Sequence, residues 1–383
     1  MNKPVQDMSI MKANSENIVL FYPHVSELAK SSVMETLDSR WIGQGPKVKI
    51  FEENFSKKFA SNLPAIAVGS GTDALHLSYI LAGLKPGDEV IAPLFTCTAT
   101  NIPFLYMGVK INFADVDINT MNMDINHVRQ LMSDKVKAII CVHYGGLPCD
   151  MDELQTIANE YNIPIIEDAA HAVGAKYKGI DIGSISDFTM FSFQAIKHIT
   201  TGDGGMLIIK NIDLIDKAER IRWFGIDRKS KQAGIWENDI TEIGYKYQMT
   251  DIAAAMGIAS LSEFDEQSQI RKSLFQVYEE ELAGCARLRI IGSGYKDREH
   301  AAWLFTVIVE ERYKLQEKLR DNNIESNQVH FRNDRYSIFK EFTDGKLFPN
   351  MDKIEDDYLV LPLHTKMTVE DVKRVCSVIK SGW

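Results

Sequence analysis

Between Ala65 and Lys210, short apolar runs rich in β-favouring residues alternate with stretches whose apolar positions recur at helical spacing. The short runs are Ala65–Val68, Glu89–Pro93, Lys110–Ala114, Ala138–Val142, Pro164–Glu167, Phe188–Phe193 and Met206–Lys210. Their length and bounding turn residues predict strands. Thr72–Leu84, Asp150–Tyr161 and Ile212–Ile221 predict helices. Strands separated by helical crossovers imply an α/β fold with a mostly parallel sheet covered on both faces. Ligands of such sheets collect beyond the C-terminal strand ends. After Thr250 the texture changes. Asp251–Leu261 and Gln267–Leu282 predict two long helices, and a less regular α+β stretch runs to Trp383. The pattern divides the chain at about residue 260, into a large domain over residues 1–260 and a smaller one over 261–383. Residues 1–15 read as a flexible tail, and no repeat or low-complexity linker separates the two parts.

Three segments carry candidate chemistry, each at the end of a predicted strand. Gly69-Ser70-Gly71-Thr72-Asp73 opens a helix, and small residues there let free backbone amides meet an anion at the helix N-terminus. The same residues would serve a tight turn with a capped helix. Ile165-Ile166-Glu167-Asp168-Ala169-Ala170-His171 puts two acids at the end of a buried strand, which is costly unless each has a partner. A structural ion pair would satisfy one of them, and so would a protonated ring nitrogen of a ligand. His171 fits either a core histidine or a donor beside such a ring.

Ser192-Phe193-Gln194-Ala195-Ile196-Lys197-His198, with Gly202-Asp203-Gly204-Gly205 close behind, sets a lysine between a strand and a glycine-rich turn. A surface lysine is the commonest fate of that residue type. In a dry pocket, however, a lysine loses its proton and attacks a carbonyl to give a Schiff base. An anion cradle, an acid and a lysine on one sheet edge are together the parts that pyridoxal 5'-phosphate (PLP) demands: a phosphate anchor, a partner for the pyridine nitrogen and an amine for the aldehyde.

Composition narrows the alternatives. The 383 residues are 45% hydrophobic and 25% charged, and the net charge of −10 argues against a nucleic-acid surface. No apolar run approaches the ~20 residues that span a bilayer, and residues 1–17 do not read as a signal peptide, so the expected location is the cytoplasm. Five cysteines, Cys97, Cys141, Cys149, Cys285 and Cys376, have neither zinc-knuckle nor redox-motif spacing, and no metal is expected.

The chain resembles the DegT/DnrJ/EryC1/StrS sugar aminotransferases over nearly its whole length. The resemblance runs from Trp41-Ile42-Gly43-Gln44-Gly45-Pro46 through Ser70-Gly71-Thr72, Glu167-Asp168-Ala169-Ala170-His171 and Ser192–Lys197. It continues through Gly202-Asp203-Gly204-Gly205 and Gly244-Tyr245-Lys246-Tyr247-Gln248-Met249 to Leu361-Pro362-Leu363-His364. It implies a PLP-dependent transferase of fold type I, like aspartate aminotransferase, built on a mostly parallel seven-stranded sheet. It also implies a homodimer with active sites between subunits. By the same resemblance Lys197 is the Schiff-base lysine and proton carrier, Asp168 partners the pyridine nitrogen, and His171 contacts the ring hydroxyl. Gly71, Thr72 and Ser192 then hold the phosphate. The implied reaction moves an amino group from an amino acid, usually L-glutamate, to a nucleotide-linked keto sugar.

Two positions depart from the family pattern. Cys97 stands where an aromatic ring usually stacks on the cofactor. Lys246 stands where an Asn usually reaches the phosphate in the partner subunit, and is expected to make that contact as a point charge. His143 is compatible with either a site or a packing role, His330 and Arg332 match a family region that lines the sugar site, and Arg220, Arg222 and Arg228 are compatible with meeting substrate phosphates or only solvent. A PLP sugar dehydratase of the same fold carries histidine in place of the lysine, whereas here Lys197 is present with His198 merely adjacent. A binding protein that kept the fold is disfavoured because each chemical position is filled. A nicotinamide-dependent sugar oxidoreductase needs a glycine fingerprint after the first strand, and none is present.

Overall fold

The computed structural model describes residues 16–237 and 239–383, so the expected tail at 1–15 lies outside the described residues. Seven strands form the main sheet: β1 Ala65–Val68, β2 Glu89–Pro93, β3 Lys110–Ala114, β4 Val136–Val142, β5 Ile165–Asp168, β6 Phe188–Ser192 and β7 Gly205–Ile209. Their order is β1-β7-β6-β5-β4-β2-β3. The pairings β2–β3, β2–β4, β4–β5 and β5–β6 are parallel. β7 runs antiparallel to both β1 and β6. The reason is local: the Phe193–Gly204 connection carries Lys197 and two glycines and forms no helix, so it lacks the helical crossover of a usual parallel return.

Side chains alternate across the sheet with the two-residue period of extended chain. Ile66, Val68, Val90, Ala92, Ile140 and Leu207 enter one buried core, while Ala67, Ile91, Ile139, Cys141, Met206 and Ile208 enter the other. Each fully buried Leu, Ile or Phe contributes about 1.5–3 kcal/mol by leaving water. Four helices flank the start of the fold: α1 Glu27–Leu37, α2 Pro46–Phe59, α3 Gly71–Leu81 and α4 Thr98–Met107. The start of α2 is capped from a distance, because the Asp251 carboxylate accepts from the N–H groups of Gly45 (2.7 Å), Lys47 (3.1 Å) and Val48 (3.1 Å). Pro46 is missing from that set because it has no N–H to offer.

The C-terminal part builds a second sheet from β8 Leu288–Ile290, β9 Phe305–Val309 and β10 Tyr358–Leu361, in the order β8-β9-β10. The long helices Asp251–Ser262 and Phe264–Leu282 lie where the helical spacing places them. Chain crosses between the two cores in both directions. Ile18 packs with the C-terminal core, and Phe339, Phe348, Met351 and Ile354 pack with one face of the main sheet. Asp115 locks the second crossing by accepting from the N–H groups of Asn350 (2.8 Å) and Met351 (3.0 Å). C-terminal residues are thereby held against the C-terminal edge of the main sheet.

Candidate active site

At that edge the chain crosses itself closely beside β1. Ser70 caps α3, its Oγ accepting from Asp73 N at 3.0 Å. Gly71 and Thr72 then occupy the first helical positions, whose N–H groups have no intrahelical acceptor. A Cβ on Gly205 would lie 2.5 Å from Ser70 O, and one on Gly71 would lie 3.1 Å from Ser192 Cβ. Bare backbone at both positions lets the start of α3 sit directly beside the Ser192 side chain, which forms a small, donor-rich cradle.

Asp168 is the last residue of β5 and is buried. Its Oδ2 accepts from Thr100 Oγ1 (2.7 Å) and its Oδ1 from Ala170 N (3.1 Å). Thr96 Oγ1 lies 2.9 Å from Thr100 Oγ1 and extends the chain of hydroxyls. Burial raises the pKa of Asp168, against the lowering effects of these donors and of Lys197. Glu167 points to the opposite face, as strand alternation requires. There it accepts from Ser186 N (3.1 Å) and Thr189 Oγ1 (3.1 Å) and bonds His143 Nε2 (2.8 Å). His143 Nδ1 accepts from Cys149 N at 3.1 Å, so both ring nitrogens are engaged. Cys141, His143 and Cys149 offer ligand atoms within 4.8 Å of one another. A metal there would take the only acceptor of Cys149 N, so the cluster reads as packing behind Asp168. His143 is thus a packing histidine.

Lys197 is half-buried on the loop after β6. Burial lowers its pKa from the usual lysine value to about 7, although Asp168 and Cys97 pull the other way. Its Nζ lies 3.7 Å from the centre of the Trp303 ring. The His171 imidazole stacks on the same indole at 3.8 Å and 16°, and on His330 at 5.1 Å and 8°. Burial also lowers the pKa of His171 well below the usual histidine value, reinforced by Lys197 and His330. His171 Nδ1 is buried with no partner among the described residues. A buried, unpartnered ring nitrogen is the kind of atom a ligand satisfies.

The structure therefore brings Gly71, Thr72 and Ser192 together at one point, and Asp168, His171 and Lys197 together beside them. Lys246 is held by other residues: it pairs with Trp223 in an isolated antiparallel bridge, and the Gln248 amide, oriented by its donors, accepts from Lys246 Nζ (2.7 Å) and Trp223 Nε1 (3.0 Å). Arg332 is buried among Asp334 (2.7 Å), Asp352 (2.5 Å) and Glu355 (2.9 Å). Arg222 is held by Glu52 (2.6 Å), Arg220 by Glu242 (2.5 Å) and Arg228 by Gln44 O (2.6 Å). These four arginines brace the fold.

A family model described as the DegT/DnrJ/EryC1/StrS aminotransferase family matches residues 23–380. The chain belongs to that family. GDP-perosamine synthase of Escherichia coli O157:H7 is 34% identical over 82% of this chain and 85% of its own. The UDP-4-amino-4-deoxy-L-arabinose–oxoglutarate aminotransferase of Shewanella sediminis is 30% identical over 96% of this chain and 98% of its own. Among solved structures, the sugar aminotransferase CalS13 of Micromonospora echinospora superposes with a TM-score of 0.90 at 30% identity, covering 95% of this chain and 99% of that one. The chain is a PLP-dependent sugar aminotransferase with the fold type I α/β architecture expected of one.

The pocket fits the family's cofactor. The cradle at Gly71, Thr72 and Ser192 offers donors to a phosphate, and the Asp168 carboxylate accepts from Thr100 and Ala170. Among the described residues His171 Nδ1 lacks a partner, and Lys197 is held where a neutral amine is accessible near pH 7. At the unusual position of this DegT-type chain, Cys97 is an exposed thiol that starts α4 without a side-chain cap. The aromatic surface in the site comes instead from Trp303, which stands 106 residues beyond Lys197 in an irregular segment. Trp303 and Thr100 are the two site residues that local sequence pattern misses. The only local trace of Thr100 is its place three residues after Cys97, at the opening of a helix.

Proposed function

We propose that this enzyme moves the amino group of L-glutamate to a ketone on a nucleotide-linked sugar, with PLP carried on Lys197 and each site completed across a cytoplasmic homodimer. The observation that carries this reading is the convergence of Lys197, Asp168 and His171 beside the Gly71–Ser192 cradle. Two relatives named for nucleotide-linked sugars, one of them also for oxoglutarate, support the substrate and donor.

When bound, PLP supplies an electron-withdrawing ring that lets a proton move at the carbon bearing nitrogen. The chain's own residues supply the rest. Gly71, Thr72 and Ser192 anchor the phosphate. Asp168 keeps its negative charge beside a ring cation, which opposes the burial that otherwise raises its pKa. His171 donates or accepts at the ring hydroxyl through its free Nδ1. Lys197, with a pKa near the working pH, carries the proton between carbons. The division of the chain near residue 260 belongs to the same proposal: the larger part carries the cofactor groups, and the smaller part closes the site with Trp303 and His330.

The test is chemical. Borohydride treatment of the purified yellow enzyme should fix the cofactor to Lys197 in a peptide map, and a label on any other lysine removes the assignment. A panel of nucleotide-linked keto sugars with glutamate should yield 2-oxoglutarate and amino sugar in equal amounts, with the hydroxyls of the sugar retained. A deoxy-keto sugar without added nitrogen would instead make the enzyme a dehydratase.

A further inference from the structure

Trp303 meets Lys197 and the residue before it. Its ring centre lies 3.7 Å from Lys197 Nζ, and its Nε1 donates to Ile196 O at 3.2 Å, one residue before the lysine. The indole is 1% exposed. It is held rigidly, since Ala301 N donates to Gly146 O (2.9 Å) while Trp303 N (3.1 Å) and Leu304 N (3.0 Å) both donate to Gly145 O. Gly146 has a φ of +104°, and a Cβ there would stand 2.9 Å from His171 O. This strap therefore fixes Trp303 and the His171 turn together.

The family reaction needs Lys197 in two states, joined to the cofactor and free. A free lysine in a half-buried pocket needs a seat that holds it near the reacting carbon without forming a fixed ion pair. An indole face provides one, because its quadrupole attracts a cation yet forms no directional bond that must later be broken. We propose that Trp303 is the positioning residue for Lys197, seating the amine on its ring face whenever the amine is free. The proposal rests on the reading of Lys197 as the cofactor lysine, although the contact itself is a property of the protein alone.

The other groups that face the amine are known. Asp168 and Cys97 favour its charged form. His171 and His330 are held neutral by burial, and His198 bonds Ala301 O (2.8 Å). Removing the indole takes from His171 the ring it stacks on, but His171 and His330 are neutral, so that loss brings no charge to the amine, while Asp168, Cys97 and His198 stay in place.

The test uses the full chain freed of cofactor. Lys197 is labelled with trace acetic anhydride across a pH series and quantified by peptide mass spectrometry. Trp303→Leu should move the labelling midpoint down by about one pH unit, the loss of a partly desolvated cation–π contact, while Trp303→Phe should move it less than half as far. An unchanged or raised midpoint in Trp303→Leu overturns the proposal. Should Trp303→Leu fail to fold, the intrinsic fluorescence of the wild-type chain decides. Its pH titration should show a step at the Lys197 midpoint that is missing in Lys197→Met, and identical titrations overturn the proposal. Borohydride mapping of the holoenzyme runs alongside. A label on Lys197 with an unmoved midpoint sinks the Trp303 role alone, whereas a label elsewhere sinks the reading of Lys197 and leaves the seat as a structural contact.

Discussion

The pocket at the edge of the main sheet and the segment from Trp223 to Gln248 handle polar and apolar groups in opposite ways. In the pocket, Asp168, Thr96 and Thr100 each find partners within the same chain, and Trp303 and His171 cover one another. The segment is tied down along its base, where Phe224 N donates to Tyr245 O (2.9 Å), Tyr245 N to Ile221 O (2.7 Å) and Tyr247 N to Arg222 O (3.0 Å). Gly225 and Gly244 pass so closely there that a Cβ on Gly244 would meet Gly225 N at 1.8 Å. Above that base the segment shows water Trp236, 73% exposed, and Ile243, 80% exposed, together with Phe224, Ile235 and Ile240. Several large apolar side chains uncovered along one segment are the kind of surface that a partner covers. The comparison sets a pocket whose groups meet within one chain against a surface that, in the homodimer proposed above, would offer Lys246 and apolar side chains to a second copy.

The sharpest break in that comparison comes from the complete half. Lys197→Ala should lower sugar amination by more than about 10⁴-fold, since the proton-transfer role alone is worth about 10²–10⁴-fold and covalent attachment is lost with it. The measurement is oxoglutarate release with the correct keto sugar. Activity within tenfold of wild type would show that another group carries the chemistry.

A smaller effect probes the incomplete half. Lys246→Ala should weaken cofactor retention by about tenfold, as loss of one phosphate contact implies, with little change in folding. Mixing Lys246→Ala with Lys197→Ala subunits makes hybrids in which one site carries both defects and the other carries neither. Random exchange should then restore about a quarter of the wild-type sites, a number set by two-fold symmetry. Proven exchange without regained activity would place the role of Lys246 inside its own subunit, on the Gln248 amide where it rests here.

How much of this could be read in the sequence follows from the range of each contact. The seven strands were legible because their length and bounding turn residues are local, and Gly71 and Gly205 were legible as small residues at turns, while their close backbone passage appears only in the fold. Asp168 and Lys197 were legible as charges placed where strands end. The direction of β7 was not, because period and propensity are the same for parallel and antiparallel neighbours. Helix α4 was hidden by Pro103 and by the β-branched residues Thr98 and Thr100, which favour strands when judged singly. The structure tolerates them because much of α4 is buried and held by packing; Thr100, Asn101, Pro103 and Phe104 all face the interior. Arg332 could have served substrate or fold by sequence alone. Only the convergence of Asp334, Asp352 and Glu355 settles it, and two of those three lie 20 and 23 residues away. Trp303 is beyond any local pattern, because its meeting with Lys197 depends on the strap over Gly145 and Gly146.

The smallest effect concerns stability, and it should be confined to the pocket. A lysine in the unfolded chain titrates near pH 10.4, whereas Lys197 in the folded chain titrates at about 7. Above about pH 10.4 both forms are neutral, so the lysine adds no difference. As pH falls from there toward 7, the unfolded chain binds a proton that the folded chain does not, and folding loses stability. Below 7 both are protonated and the loss stays constant. In the cofactor-free protein, Lys197→Met keeps the apolar stem and removes the charge. It should therefore stabilise the fold near pH 7 by roughly 1–3 kcal/mol, and the gain should shrink to nothing as pH rises past 10. Denaturant unfolding of both proteins from pH 6 to 10.5 measures the difference directly. A destabilised Lys197→Met at neutral pH, or a gain that does not depend on pH, would show that the pocket holds the ammonium comfortably.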